Sequence, residues 1–150
     1  MSADRKAVLD SIMQAMEIEK ETFDFYVKAE QKTFDAGGKR IFRWLAKSEE
    51  QHYLKLTELY SSLEQGGRWV FYGGSTVTFE EEESAKLSFT TNDLQALEIA
   101  MDIEKKGIAY FEKLMGETID PDGKAMLTTL RNEEAEHLRI ITEKYDALRA

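Results

Sequence analysis

The stretch SEEQH at residues 48–52 and the matching stretch EEAEH at residues 133–137 decide the fold that this sequence predicts. Each stretch contains Glu three residues before His, and the chain has two His in all. The same offset of 85 residues relates the segment IEK at residues 18–20 to IEK at residues 103–105. A constant offset over this length indicates an internal repeat, so the two halves should fold alike.

Each half predicts a pair of helices. Apolar residues recur at helical spacing, and Asp120 followed by Pro121 is typical of an N-cap and a first helical residue. Residues 35–38 and 66–67 interrupt the apolar pattern, and Asn92 is a second candidate N-cap. The sequence therefore predicts one all-α domain over residues 1–150, made of two repeated helical hairpins. The predicted helices span about residues 6–34, 39–63, 92–116 and 121 to the C-terminus.

The segment at residues 66–91 is too long for a turn between antiparallel helices. It is expected to cross the length of the bundle and leave helices two and three parallel, which is the topology of a ferritin-like four-helix bundle. Within it, residues 69–72 and 75–79 are β-prone and flank two glycines, so a hairpin is one expectation. Glu80 to Glu83 are expected in solvent. The apolar run at residues 69–72 either covers the bundle or packs on a second subunit.

Four carboxylates interrupt the apolar stripes of the predicted helices. Around Glu19, apolar residues stand at offsets of −7, −4, −3, +4 and +7, and Glu104 has apolar residues at the same offsets. Glu49 and Glu134, the carboxylates of the two Glu-x-x-His motifs, have apolar neighbours in a similar pattern. Buried carboxylates cannot stay ionised and unpaired, because their removal from water costs several kcal/mol each, so the pattern predicts a compensating positive charge.

Two metal ions would supply that charge. Each motif places a carboxylate and an imidazole on one helix face about one turn apart, where both reach the same ion. Two divalent cations neutralise four carboxylates, and two ferric ions joined by an oxo bridge do so equally. Carboxylate and imidazole ligands favour iron (Fe²⁺ or Fe³⁺), with manganese or zinc as substitutes, and di-iron bundles use this residue set. The predicted ligands, which carry any catalysis through the metal pair, are Glu19, Glu49, His52, Glu104, Glu134 and His137.

Three further residues lie close in sequence to the predicted ligands, and one of them has two interpretations. Tyr26 lies two turns after Glu19 on the same face, where it either hydrogen-bonds a ligand carboxylate or fills the core like its repeat counterpart Phe111. Glu17 and Glu133 are predicted to lie in solvent.

The segment EKETFDFY at residues 19–26, the two Glu-x-x-His motifs and Glu104 resemble the rubrerythrin group of the ferritin-like di-iron carboxylate superfamily. The resemblance covers the four predicted helices, which is most of the chain outside residues 66–91. It implies three kinds of iron ligand, namely carboxylates from helices one and three (Glu19, Glu104), bridging carboxylates (Glu49, Glu134) and terminal imidazoles (His52, His137).

Two features depart from that family. Rubrerythrins usually carry a Cys-rich rubredoxin domain that delivers electrons, whereas this sequence has no Cys. Electrons are therefore expected from a separate protein such as a rubredoxin or a reductase. Rubrerythrins also tend to have an extra carboxylate one turn after the third-helix Glu, which takes part in a redox-linked movement of one iron. Gly107 stands at that position here, which makes the expected site more symmetric.

The resemblance implies a non-haem di-iron oxidoreductase that reacts with hydrogen peroxide or O₂ in defence against oxidative stress. One alternative keeps the site but makes Fe²⁺ the substrate, as in a ferroxidase or iron-handling protein. Another is a helical interaction module that retains the metal site and uses residues 69–72 as its contact surface.

Composition narrows the expected partners and location. The net charge of −9 argues against nucleic acid and anionic membranes as partners. No apolar run approaches the length of a membrane span, and residues 1–6 do not resemble a signal peptide, so a cytoplasmic location is expected. The long connection leaves room for helix exchange, and a homodimer is expected.

Overall fold

Four long helices account for most of the protein. The computed structural model describes residues 3–33, 36–77 and 91–149, and within these ranges it contains no strand. The all-α prediction is confirmed. None of the described helices combines the length and the apolarity needed to cross a bilayer. The helices are α1 (Ala3–Lys32), α2 (Ala36–Glu64), α3 (Thr91–Glu117) and α4 (Pro121–Arg149).

The helix directions follow from contacts across the bundle. Helix α1 packs along α2 and α3 packs along α4, and each pair is joined by a short turn. The Tyr26 hydroxyl donates to Glu104, and the Tyr110 hydroxyl donates to the Ser11 carbonyl, so residue numbers rise along α1 as they fall along α3. Because α1 is antiparallel to both α2 and α3, the latter two run parallel. The predicted crossover topology is therefore confirmed.

Two helix ends have the chemistry that their sequences predict. The Asp120 carboxylate accepts hydrogen bonds from the backbone N–H groups of Asp122 and Gly123, as an N-cap does. At the end of α2, Gly66 has a φ of 84°, and the N–H groups of Gly66 and Gly67 bond back to the carbonyls of Leu63 and Ser62. This is a Schellman motif, which glycine favours because it has no Cβ. The other candidate cap, Asn92, lies inside α3, and its side chain is outside the described part.

The start of α2 differs from the prediction. Residues 35–38 were expected to separate the helices, but α2 begins at Ala36 and includes Gly37 and Gly38, both buried, in its first turn. The Lys39 amine donates to the Glu30 carbonyl at 2.8 Å, which joins this first turn to the end of α1. The break in the apolar pattern marks a buried, closely packed turn of helix, because glycine there adds no side chain to the interface.

Two apolar layers fill the bundle and leave a polar layer between them. One layer joins the first half of α1 and the last half of α2 with the facing parts of α3 and α4; its members include Leu59, Phe111, Leu127 and Leu130. The other lies at the opposite end of the bundle and contains Tyr26, Phe42, Leu45 and Leu97. The six predicted ligands lie between these layers in all four helices, so both ends of the polar layer are shielded from water.

The connection after α2 covers the bundle rather than forming the expected hairpin. Residues 67–77 carry no strand, and the rest of the second β-prone run, together with Glu80 to Glu83, lies outside the described residues. Trp69 and Val70 pack against the first apolar layer and Tyr72 belongs to it, while Phe71 is 83% exposed. Of the two alternatives for this apolar run, packing on the bundle is therefore the one observed.

Gly123 permits this packing, and its replacement should be destabilising. A Cβ at Gly123 would lie 2.7 Å from Trp69 Cε2 and 2.8 Å from Thr118 Cγ2. We expect Gly123→Ala to lower the free energy of unfolding by about 1–3 kcal/mol through overpacking, measured by urea denaturation. Gly116→Ala is the control, because a Cβ there meets nothing within 4 Å and helix propensity alone should stabilise by up to about 1 kcal/mol. Equal stability of the two variants would contradict the Trp69 packing.

Candidate metal centre

The six predicted ligands converge in the polar layer. Each is at most 2% exposed. They form two groups, Glu19-Glu49-His52-Glu134 and Glu49-Glu104-Glu134-His137, and in each group one potential ligand atom from every residue lies within 4.8 Å of the others. Glu49 and Glu134 belong to both groups. The structure therefore brings together two adjoining sets of ligand atoms that share two carboxylates.

The motifs of α2 and α4 contact each other reciprocally. His52 Nδ1 lies 2.9 Å from Glu134 Oε1, and His137 Nδ1 lies 3.0 Å from Glu49 Oε1. The two imidazole rings are nearly parallel, with centroids 6.1 Å apart. This exchange reproduces the sequence repeat in space, and it turns the Nδ1 atom of each imidazole towards the carboxylates.

The carboxylates of α1 and α3 complete the two groups. Glu19 Oε2 lies 3.6 Å from His52 Nδ1, and Glu104 Oε1 lies 3.4 Å from His137 Nδ1. The fully buried Tyr26 hydroxyl donates to Glu104 Oε1 at 2.6 Å. Tyr26 thus orients one of the candidate ligands, whereas its repeat counterpart Phe111 lies in the first apolar layer.

The donor atoms have the properties that a cation site requires. Three buried carboxylate oxygens, Glu19 Oε2, Glu49 Oε2 and Glu104 Oε2, have no hydrogen-bond partner within residues 3–33, 36–77 and 91–149. An unsatisfied anionic oxygen in the interior is costly, and coordination to a cation would satisfy it. Carboxylate and imidazole donors in this ratio suit iron or manganese. The residues therefore fit a metal centre, and these three oxygens are available to bind a cation.

Protons stabilise this cluster when metal is absent. Burial raises the pKa of Glu19 well above its usual value, and the carboxylates of Glu134 and Glu49 raise it further. Burial, reinforced by the charge of Glu134, raises the pKa of Glu104 to about 8. In the metal-free protein the shifts favour the neutral form of both outer carboxyls, which reduces the repulsion between four close acidic groups.

The inner carboxylates and the imidazoles instead favour their charged forms. Burial opposes ionisation of Glu49, but the hydrogen bond from His137 and the nearby Glu19 and His52 side chains outweigh it and lower its pKa to about 2. Burial also disfavours charged His52 and His137, yet Glu19 and Glu104 respectively, with further hydrogen-bonded carboxylates, raise both pKa values well above 6.5. In the metal-free cluster the shifts thus favour protonated imidazoles beside ionised inner carboxylates, so that opposite charges lie next to each other. Metal ions would replace these protons, so binding should release protons.

These shifts predict how the stability of the metal-free protein depends on pH. Glu104 has a pKa of 4.5 when unfolded and about 8 when folded, so between these values the folded state holds a proton that the unfolded state has lost. Stability should therefore fall as the pH rises through this window, and the raised pKa values of the two histidines extend the loss above pH 6.5. Below pH 4.5 the sign reverses, because Glu49 and Glu133 have pKa values lowered to about 2.

Chemical denaturation of chelator-treated protein at a series of pH values measures this dependence. With saturating metal the decline above pH 4.5 should disappear, because the ions replace the protons. If the metal-free protein instead gained stability as the pH rose from 4.5 to 8, the result would contradict the raised pKa of Glu104.

Glu133 is the residue that the sequence interpretation misplaced. It was predicted to lie in solvent, but its side chain is 21% exposed and Oε1 lies 3.1 Å from His52 Nε2. The Tyr72 hydroxyl donates to Oε1 and the Ser75 backbone N–H donates to Oε2 at 2.9 Å. Hydrogen bonds from His52 and Tyr72 outweigh burial and lower the pKa of Glu133 to about 2. A signal was present in the sequence, because apolar residues or His stand at offsets of −7, −3, +4 and +7 from Glu133.

The connection crosses the bundle at the level of this polar layer. Tyr72 and Ser75 donate hydrogen bonds to Glu133 of α4. On the side of α2, the Thr76 backbone N–H donates to Gln51 Oε1 at 3.0 Å, and Trp44 Nε1 donates to the Val77 carbonyl at 3.3 Å. We call residues 72–77 the strap. Because it is bonded to both α2 and α4, the strap covers the histidine side of the candidate metal centre.

Gly107 is buried beside the same cluster. It faces α4, and a Cβ at this position would lie 3.8 Å from Glu134 Oε2, which is ordinary van der Waals contact. The space next to this shared carboxylate is therefore not filled by a side chain from position 107.

Two antiparallel helical hairpins in crossover topology, with carboxylates and imidazoles at their centre, define a ferritin-like bundle. The family model for rubrerythrin matches residues 14–145, and the chain belongs to the rubrerythrin family. The family expected from residues 19–26, the two motifs and Glu104 is thereby confirmed.

Comparison with solved structures gives the same fold. The protein is similar to a two-domain protein from Anabaena variabilis ATCC 29413 that contains DJ-1/ThiJ/PfpI-like and ferritin-like domains, with a TM-score of 0.72 and 15% sequence identity. The match covers 95% of this chain and 37% of the other, so this chain spans little more than a third of that protein. At this identity the similarity establishes the fold alone. No curated protein sequence matches the chain significantly.

Proposed function

We propose that the protein is a non-haem di-iron oxidoreductase that reduces hydrogen peroxide or O₂. One observation carries the proposal, namely the two ligand groups that share Glu49 and Glu134. A single cation would need one group, whereas two adjoining groups with shared carboxylates match the way di-iron bundles hold a pair of ions.

The six residues have distinct roles in this proposal. Glu19 and His52 would hold one iron ion, Glu104 and His137 the other, and Glu49 with Glu134 both. When bound, a pair of ferrous ions would supply two electrons, which suffice to reduce hydrogen peroxide to water or O₂ to hydrogen peroxide. Iron is proposed over manganese and zinc because the redox chemistry needs an ion that changes valence.

The surrounding residues prepare the site for that chemistry. The two apolar layers exclude water, so charges between them interact more strongly than they would in solvent. The Tyr26 hydroxyl donates to Glu104 Oε1 and so holds that carboxylate with its other oxygen free. Because the pKa values of Glu19 and Glu104 are raised, these two carboxyls are the ones that would give up protons to bound iron, and they are placed to accept protons again as the charge of the site changes.

The proposal extends to partners and location. The 150 residues contain no Cys and so cannot hold an iron–sulfur centre, and we propose that a separate donor protein, such as a rubredoxin or a reductase, delivers electrons. We further propose a cytoplasmic location and a homodimer, and light scattering of the purified protein would test the dimer. A role in defence against oxidative stress follows if peroxide is the preferred oxidant.

Anaerobic loading with Fe²⁺ followed by stopped-flow mixing tests the proposed reaction. We expect two iron ions per chain to be oxidised by stoichiometric peroxide or O₂, and to be reduced again for a second turnover when a donor system is present. Protein that binds no iron under these conditions would refute the proposal.

The same experiment separates the alternatives. Continued oxidation of added Fe²⁺ without a reductant, with ferric product released, would instead indicate a ferroxidase or iron-handling protein. The alternative of a helical interaction module is less well supported, because most of its proposed contact surface is not accessible. Trp69, Val70 and Tyr72 pack against the bundle, and Phe71 is the exposed residue of this run.

A further inference from the structure

The two halves of the candidate centre differ outside the six ligands. Glu133 lies 3.1 Å from His52 Nε2, on the side of the imidazole away from the cluster. Glu133 is itself held by Tyr72 and Ser75 of the strap, so its carboxylate is fixed in place. His52 therefore has a carboxylate on each ring nitrogen, Glu134 at Nδ1 and Glu133 at Nε2.

The repeat does not provide an equivalent carboxylate for His137. The residue 85 positions before Glu133 is Ser48, a buried residue whose hydroxyl has no hydrogen-bond partner among the described residues. The neighbour of the His137 ring is instead the Trp44 ring, at 5.0 Å between centroids and nearly perpendicular to it. The six predicted ligands thus repeat in the structure, but the side chains behind the two imidazoles do not.

This difference has a chemical consequence for metal binding. A carboxylate at Nε2 holds a proton on that nitrogen and leaves the Nδ1 lone pair directed at the cluster. It also makes the imidazole a stronger electron-pair donor to the metal. Loss of such a partner typically lowers metal affinity by about 10–100-fold. In the described part of the chain no carboxylate is seen at His137 Nε2, so its Nδ1 lone pair would be freed without this assistance.

We propose that Glu133 makes the two metal positions unequal, so that the position formed by His52 and Glu19 fills first and holds its ion more tightly than the position of His137 and Glu104. Glu133 acts through His52 and is a positioning residue. The inference rests on the proposed function only in needing two ions to bind, and it holds for whichever divalent cation occupies the site.

Calorimetric titration of the full chain with Mn²⁺ under chelator-free conditions tests this inference. Wild-type protein should bind two ions in two resolved steps. Glu133→Gln should weaken the first step by about 10–100-fold and leave the second within about twofold, so that the steps merge. Glu104→Gln should retain the tighter step and Glu19→Gln the weaker one, which assigns each step to its position.

Two matched controls distinguish the proposed role from general loosening. Glu136→Gln removes a carboxylate from the exposed face of the same helix, where it pairs with Arg139, and should change neither step. Gln51→Ala detaches the strap at Thr76 but keeps Glu133, and should also preserve the order of the two steps. A thermal scan of each metal-free variant verifies that it is folded.

The outcomes separate the two proposals. Equal affinities in wild-type protein, or a Glu133→Gln titration identical to wild type, would overturn the inference while leaving the di-iron proposal intact. The inference would also be overturned if Glu133→Gln and Gln51→Ala weakened metal binding to the same extent, because the strap rather than the carboxylate would then be responsible. Absence of binding in wild-type protein would refute the proposed function itself.

Discussion

Replacing Glu49 with Gln is expected to abolish binding of both metal ions, whereas replacing Glu19 with Gln should remove one. Glu49 belongs to both ligand groups, and Glu19 belongs to one of them. Gln has nearly the same shape but carries no charge, so it is a poor ligand for a hard cation. We expect the affinity to fall by more than about 100-fold at each affected position, since even the loss of an outer partner costs up to that amount.

Elemental analysis of purified, iron-supplemented protein measures the number of bound ions. Glu17→Gln is the matched control, because Glu17 is exposed on the same helix as Glu19 and should have no effect on metal content. Circular dichroism should show unchanged helicity in all three variants, because neutral Gln needs no compensating charge in the core. A Glu49→Gln variant that retains two ions would refute the shared role of this carboxylate.

Metal loading is expected to raise the unfolding temperature by roughly 10–20 °C. Each ion at a concentration 100 times its dissociation constant stabilises the folded state by about 2.7 kcal/mol, so two ions contribute about 5 kcal/mol. For a domain of this size each kcal/mol corresponds to roughly 2–4 °C. The gain arises because the ions bind to groups that folding has already brought together and that the unfolded chain keeps far apart.

Differential scanning calorimetry with and without Mn²⁺ measures this shift without redox chemistry. The double variant His52→Ala, His137→Ala lacks one ligand from each group and should show a small fraction of it. A wild-type shift of the same size as that of the double variant would mean that the cations bind elsewhere, most simply on the acidic surface of this chain of net charge −9.

The helices and their order were predictable because their signals are local. Amphipathic spacing, the Asp120 cap and the glycines after α2 act within a few residues, and the structure agrees with each of them. The start of α2 was misplaced, since two glycines that weaken an isolated helix are compatible with a first turn buried against its neighbour. The hairpin was wrong for a similar reason, because Trp69 and Tyr72 contact the bundle instead of a second strand.

The sequence by itself determined which side chains meet at the centre. The repeat and the apolar stripes place Glu19, Glu49, Glu104 and Glu134 on the inward faces of their helices. Because the spacing is the same in both halves, the four carboxylates then lie at the same level of the bundle. It could not determine what lies behind the ligands, because Glu133 and the strap are far apart in the chain and approach each other once α4 and the connection are packed. The sequence shows Ser48 where the other half has Glu133, but the tertiary structure alone decided that Glu133 reaches His52 and so makes the support of His52 differ from that of His137.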